Sequence, residues 1–157
     1  MQNMLRISAI FVGALLMAGA ATTHAQPVEF GVQASLADHD LNFGIGARLI
    51  TDFNALGDHV KFIGSFDYFF PDNDANYWEL NGNAVYLFTP RHSTLRPYLG
   101  GGLNLGHYSG GGVSDSKVGL NLVGGINFRG RSLKPFVEAK IEIRDGGPFI
   151  ASAGFRF

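Results

Sequence analysis

The sequence predicts an all-β protein, an eight-stranded antiparallel up-and-down transmembrane β-barrel that follows a cleaved signal peptide. Three observations predict it. Apolar and polar residues alternate with a period of two in eight successive segments after Pro27. The 157 residues include 22 glycines and 14 phenylalanines, and the glycine share is about twice that of an average protein. Charged residues make up only 16% of the chain, well below the usual share of roughly 25%.

Composition also excludes several classes of protein. A net charge of −1 with few charged side chains argues against a disordered tail, a coiled coil and a basic nucleic-acid-binding domain, so we expect no nucleic-acid partner. The chain has no cysteine, which excludes disulfides, thiolate zinc sites and cysteine nucleophiles. His39, His59 and His92 fall in separate predicted turns. We therefore expect neither a metal site nor another cofactor.

Residues 1–25 read as a signal peptide. Arg6 is the only charge in this segment and precedes an apolar, small-residue run over 7–21. For cleavage after Ala25, the −3 and −1 positions hold the small residues Thr23 and Ala25. An apolar run of about 15 residues is shorter than the roughly 20 that a transmembrane helix needs. Residues 26–157 are then a single barrel domain.

The first four strands are predicted from strict alternation, and a segment of turn-forming residues ends each of them. In the first, Val28, Phe30 and Val32 alternate with Glu29 and Gly31. These strands cover 28–36, 41–49, 60–70 and 78–88, with turns at 38–40, 52–58, 71–74 and 89–93.

The last four strands follow the same pattern. The seventh is the most regular, because Val137, Ala139 and Ile141 interleave with Glu138 and Lys140. The glycines at 110–112 favour a break after the fifth strand, with a loop over 109–116. These strands cover 98–106, 118–128, 137–144 and 149–157, with turns at 109–112, 130–132 and 145–148.

The polar face of the strands decides which side of the barrel meets lipid. Much of this face is glycine and asparagine, as at Gly44, Gly102 and Asn121, which suits the crowded interior of a small barrel better than a water-exposed surface. The charges on it nearly balance, as an interior requires. We expect the apolar face to contact lipid; a soluble, lipocalin-like barrel is the alternative. The expected lumen charges are Glu29, Arg48, Lys61, Asp67, Glu79, Glu138, Lys140, Glu142, Arg144 and Arg156.

Two groups of aromatic residues fall at opposite strand ends on the apolar face. Such groups are typical of the two aromatic girdles of a membrane barrel. One group is Phe66, Tyr68, Phe70 and Trp78; the other is Tyr86, Phe88, Phe128, Phe155 and Phe157.

The mature chain resembles the small OmpA-like and OmpX-type outer-membrane barrels of Gram-negative bacteria. The resemblance is carried by the signal peptide and by the segments RPYLGGGL at 96–103, KPFVEAK at 134–140 and ASAGFRF at 151–157. It implies an outer-membrane location, with outer-membrane lipid and lipopolysaccharide around the barrel. It also implies a terminal signal at Phe155 and Phe157 that the barrel-assembly machinery reads. We also expect a monomer.

The predicted topology brings the first and last strands together. An even number of strands places both termini on the periplasmic side. The connections after strands 2, 4 and 6 then lie on that side as well, and the other four are extracellular. Glu29, at the start of the first strand, should then lie beside Arg156, at the end of the eighth.

The function predicted from the sequence is a structural or general envelope role without catalysis. Three alternatives stay open: a surface binder or adhesin, a narrow porin-like pore with a water-filled cavity beside the glycines of strands 5 and 6, and a lipid A-modifying hydrolase that uses His107 and Ser109. The two side chains share a face and resemble the catalytic pair of the lipid A deacylases. However, Gly110 follows the serine where that family has asparagine, and Asn121 stands where an orienting carboxylate is expected.

Overall fold

A computed structural model describes residues 27–38, 42–71 and 75–157. The predicted signal peptide, His39 and the predicted loop residues 72–74 lie outside this part of the chain. Within it, eight antiparallel strands form a closed barrel in which each strand pairs with the next, as predicted. The strands are β1 (Glu29–Ala37), β2 (Asn42–Asp52), β3 (Val60–Phe70), β4 (Asn76–Leu87), β5 (Leu95–Gly110), β6 (Val113–Phe128), β7 (Lys134–Ile143) and β8 (Phe149–Arg156).

Among the residues that the structure describes, no helix is both long enough and apolar enough to cross a membrane. A short 3-10 helix, Asn54–Leu56, lies between β2 and β3.

The barrel closes between its first and last strands. Phe30 and Phe157 exchange two backbone hydrogen bonds, with N···O distances of 3.2 and 2.9 Å, and the β1–β8 ladder continues through Ala34 opposite Ala153. Both described ends of the chain therefore lie at one end of the barrel, here called the terminal end. The opposite end, which carries the β5–β6 turn, is called the hairpin end.

The β5–β6 connection differs from the prediction. The sequence predicts a break at 109–112 and a loop over 109–116, but β5 continues to Gly110 and β6 begins at Val113. Only Gly111 and Gly112 form the turn, with φ angles of 59° and 80°. A two-residue hairpin turn of this type needs positive φ at both central positions, which glycine adopts without strain. The hairpin therefore extends further than the glycine run suggests.

The direction of the side chains agrees with the prediction. On the outer face, Leu120, Ile141 and Phe155 are 54%, 48% and 48% exposed. On the inner face, Glu79 and Asp67 are 0% and 2% exposed. The barrel is apolar outside and polar inside, the reverse of a lipocalin-like cup.

Two apolar clusters inside the barrel were not predicted. They occupy lumen-facing positions near the two ends of the strands, with the charged and amide side chains between them. The cluster at the terminal end is Ile50, Ile63, Val85, Tyr98 and Val123; the one at the hairpin end is Phe69, Tyr77 and Ile150.

Large side chains pack against the glycines of the lumen wall. A Cβ atom at Gly44 would lie 2.7 Å from Cδ1 of Phe69, and one at Gly154 would lie 2.9 Å from Cε1 of Phe136. On β5 and β6, where the sequence left room for a cavity, Gly106 faces Tyr77 and Gly125 faces Tyr98. These glycines thus make space for aromatic side chains in an interior that eight strands leave just wide enough to fill.

Candidate functional site

The lumen of the barrel contains the candidate site, and all ten predicted charges point toward it. Nine of them lie at alternate positions of the strands, on the side opposite the exposed apolar residues, and Arg144 continues the alternation one residue after β7. The structure brings nine of the ten together in three groups, at the middle, toward the hairpin end and at the terminal end, while Asp67 has neutral partners.

The middle group is built on Arg48 of β2 and Glu138 of β7. Nη1 and Nη2 of Arg48 donate to the two carboxylate oxygens of Glu138 at 3.1 and 2.9 Å. Nε of Arg48 donates to Gln33 at 2.5 Å, and the Tyr98 hydroxyl donates to Glu138 at 2.6 Å. The guanidinium also lies 3.8 Å from the centre of the Phe136 ring. This bidentate pair gives each buried charge several partners, which offsets the cost of desolvation.

The second group is a chain of alternating charges. Lys140 pairs with Glu79 and lies 3.3 Å from Glu142, whose other carboxylate oxygen is 2.7 Å from Arg144. The Arg144 guanidinium also donates to the Tyr77 hydroxyl. Two cations and two carboxylates balance inside the barrel, as a low-dielectric interior requires.

Asp67 is bound by neutral donors. It accepts hydrogen bonds from Gln33 at 2.6 Å and from Ser35 at 3.2 Å. An amide network lies nearby, in which Asn121 donates to Asn81 and Asn83 at 2.9 and 3.1 Å. Charges and amides together form one polar layer across the barrel.

The third group lies at the terminal end, where the predicted neighbours Glu29 and Arg156 are 2.7 Å apart. Glu29 also pairs with Lys134, and Lys61 pairs with Asp52. Here the lumen opens into a cavity of about 110 Å³, which we call the terminal mouth. Its charged and amide lining is Glu29, Arg48, Lys61, Arg96, Asn127 and Arg156.

Sequence reasoning missed Asp52, Arg96 and Lys134. Lys134 and Arg96 lie at strand starts, where few alternating residues precede them, and Asp52 was read as part of a loop. The alternation does contain this information. Lys134 is an even number of residues from Glu138, and Arg96 is an even number from Tyr98, so each pair shares the lumen face.

The structure does not form the suggested pair of His107 and Ser109. His107 lies on the outer face, stacked on Trp78 with ring centres 5.2 Å apart. Its Nδ1 is 2.7 Å from the hydroxyl of Ser116, and its Nε2 is 3.5 Å from that of Ser114. Ser109 belongs to β5, where it lies opposite Asn76 and Ser114. The hydroxyl partners of His107 thus come from β6, which sequence spacing alone does not show.

Solved structures share this architecture. Neisserial surface protein A matches with a TM-score of 0.56 and 19% identity over 82% of this chain and 94% of its own. The N-terminal barrel domain of Pseudomonas aeruginosa OprF matches with a TM-score of 0.61 and 16% identity over 82% of this chain and 97% of its own. The fold is that of the small outer-membrane β-barrels.

A third barrel of this kind is a major outer membrane protein from Thermus thermophilus. It has a TM-score of 0.52 and 14% identity, over 83% of this chain and 100% of its own. Neither a protein-family model nor a curated protein matches the sequence. The likeness therefore concerns the backbone fold of the barrel.

Proposed function

We propose that the chain is an integral outer-membrane β-barrel protein with a structural or general envelope role and no catalysis. The observation that carries the proposal is the exposed apolar outer face. Leu99, Leu103 and Leu120 are each more than half exposed, and similar side chains surround the barrel. A contiguous apolar surface of this extent is unfavourable in water and stable in hydrocarbon.

Three further observations support this location. The aromatic residues predicted for the girdles lie on the outer face, with Phe70, Tyr86 and Phe155 each nearly half exposed. The strands lie in a closed barrel, so their backbone groups are paired around the whole circumference. The first 25 residues have the pattern of an export signal. In this topology the terminal end faces the periplasm and the hairpin end faces the cell exterior.

The proposed partners follow from the same surface. Outer-membrane lipid and lipopolysaccharide surround the barrel, and the barrel-assembly machinery inserts it by reading Phe155 and Phe157. Both phenylalanines point outward at the end of the chain, 48% and 60% exposed. The protein acts as a monomer, because lipid is sufficient to cover its apolar face.

The experiment that tests the proposal is cell fractionation followed by gel electrophoresis of unheated and heated samples. We expect an outer-membrane band whose mobility changes on heating, because a closed barrel stays folded in detergent until it is boiled. A band in the soluble periplasm would contradict the proposal.

A surface-binding role is the second candidate. The pairing of β6 with β7 begins at Leu120 and Ile143, so residues 113–119 pair with β5 alone. This segment exposes Val113 and Val118 at 63% and 71%. An open strand edge with apolar side chains can bind an extended peptide. Replacing residues 108–115 with Asn-Gly removes Val113 and leaves residues 116–119 in place. Adhesion to protein-coated surfaces should therefore weaken if the edge binds, and should be unchanged if the role is structural.

A further inference from the structure

The terminal mouth carries more positive than negative charge. Five cations lie in or beside it, and they face three carboxylates. Four ion pairs use all three carboxylates: Arg48 with Glu138, Lys61 with Asp52, and Glu29 with both Arg156 and Lys134. Arg96 is the fifth cation. Two positive charges thus remain uncompensated at this end of the lumen.

Arg96 has no protein partner in the part of the chain that the structure describes. Its side chain lines the mouth from β5, and its Nε is buried without a hydrogen-bond acceptor. Nε of Arg156 is buried in the same way, although its Nη1 donates to Glu29. Arg48, Arg96 and Arg156 all line this one cavity. Buried donors without acceptors are costly, so two of them beside one cavity indicate an acceptor from outside the chain.

Apolar side chains line part of the cavity wall. Ile50, Ile63 and Val85, part of the terminal-end apolar cluster, also line the mouth. The volume of about 110 Å³ has room for several water molecules or for one small tetrahedral ion. Guanidinium groups bind phosphate oxygens through paired donors.

We propose that the terminal mouth is a binding site for a small soluble oxyanion of the phosphate class, held by Arg96 and Arg156 with Lys61 at the opening. Asn127, opposite Arg96 in the β5–β6 ladder, supplies a neutral amide on the same wall. The site goes beyond the proposed envelope role. Binding of the anion can be measured on the folded barrel in detergent, so the measurement does not depend on where the protein resides in the cell.

The test is calorimetric titration of the mature barrel with inorganic phosphate, in a non-ionic maltoside detergent and Tris chloride buffer. We expect saturable one-to-one binding by the wild type. Because charged hydrogen bonds are lost, Arg96→Gln should weaken binding by about tenfold or more. Lys61→Gln, a second variant in the same cavity, should weaken it as well. Arg131→Gln is the matched control, since Arg131 is exposed in the β6–β7 turn at the same end and should bind like the wild type.

Three results would overturn the site. The first is the absence of saturable phosphate binding by the wild type. The second is wild-type affinity for phosphate in Arg96→Gln or Lys61→Gln, whichever of the two folds. The third is a loss of affinity in Arg131→Gln as large as the loss in the cavity variants. A parallel titration with short-chain phosphatidylglycerol distinguishes a soluble ion from a lipid headgroup. Heat from that lipid but none from phosphate would contradict a soluble ligand. A heat-dependent mobility shift shows that each variant is folded. A failure to bind phosphate would therefore leave the proposed membrane role unaffected.

Discussion

The guanidinium of Arg156, in the last strand, lies 2.7 Å from the carboxylate of Glu29, in the first strand. The two residues are 127 positions apart in the chain, and they meet because β1 and β8 close the barrel. Lys134 of β7 pairs with the same carboxylate. One acidic side chain thus links three strands at the seam.

Reversing the charge at the seam should lower heat resistance. Glu29→Lys places three cations together, and because these side chains are partly exposed we expect a loss of about 1 kcal/mol. The double variant Glu29→Lys/Arg156→Glu restores opposite charges and also gives Lys134 a carboxylate partner. The temperature at which the folded band disappears from a gel should fall in the single variant and recover in the double one. An unchanged single variant would show that the seam pair contributes nothing.

Removing Lys140 should destabilise the barrel strongly. Lys140→Met leaves Glu79 and Glu142 buried together without their shared cation, and breaking a buried pair in this way costs about 3–5 kcal/mol. Urea unfolding in detergent measures the loss, and adding Glu79→Gln should recover part of it. Lys117→Met is the control, because Lys117 is exposed and lies 4.0 Å from Asp115. Equal effects of the two lysine variants would contradict the buried network.

Adding one methyl group at a lumen glycine should be unfavourable. Gly44→Ala forces a Cβ within 2.7 Å of the Phe69 ring, and overpacking of this kind costs about 1–3 kcal/mol. Gly64→Ala is the matched control on the outer face, where the nearest atom would be 3.4 Å away on Leu49. The combination Gly44→Ala/Phe69→Leu should regain stability in the same urea assay. If both alanine variants unfold at the same urea concentration, Gly44 is not needed to make room for the Phe69 ring.

The outer-face histidine should not affect lipid A. Its ring nitrogens bind the hydroxyls of Ser116 and Ser114, and its ring stacks on Trp78, so we interpret His107 as an interfacial side chain. We expect His107→Ala, Ser109→Ala and Ser116→Ala to leave the acylation of lipid A as in wild-type cells, measured by mass spectrometry. A change in acyl-chain number that depends on any of the three would establish a hydrolase.

Alternation along the sequence was sufficient to predict which residues point inward. Lys140 and Glu142 alternate with Ala139 and Ile141, and the structure separates them into lumen and outer face. A period of two fixes the direction of a side chain and contains no information about its partner. The pair of Arg48 and Glu138 joins β2 to β7 across the barrel. That contact depends on strand tilt and stagger, which no local pattern records.

The apolar interior escaped sequence analysis for a related reason. Phe69 and Phe136 occupy lumen-facing positions of β3 and β7, yet each stands beside other apolar residues, so alternation there is weak. Their fit depends on glycines of neighbouring strands, Gly44 and Gly154. The two-residue turn at Gly111 and Gly112 was missed because three successive glycines favour an irregular loop as much as a tight hairpin.

The central claim is that the apolar outer face contacts hydrocarbon. The chain has one tryptophan, Trp78. The double variant Trp78→Phe/Leu103→Trp therefore has a single tryptophan, placed on the outer face. Leu103 lies opposite Gly82, near the middle of β4. After folding into vesicles, phospholipids brominated near the ends of their acyl chains should quench its emission strongly, and aqueous acrylamide should not. Emission that acrylamide quenches and brominated lipid leaves unchanged would contradict the account.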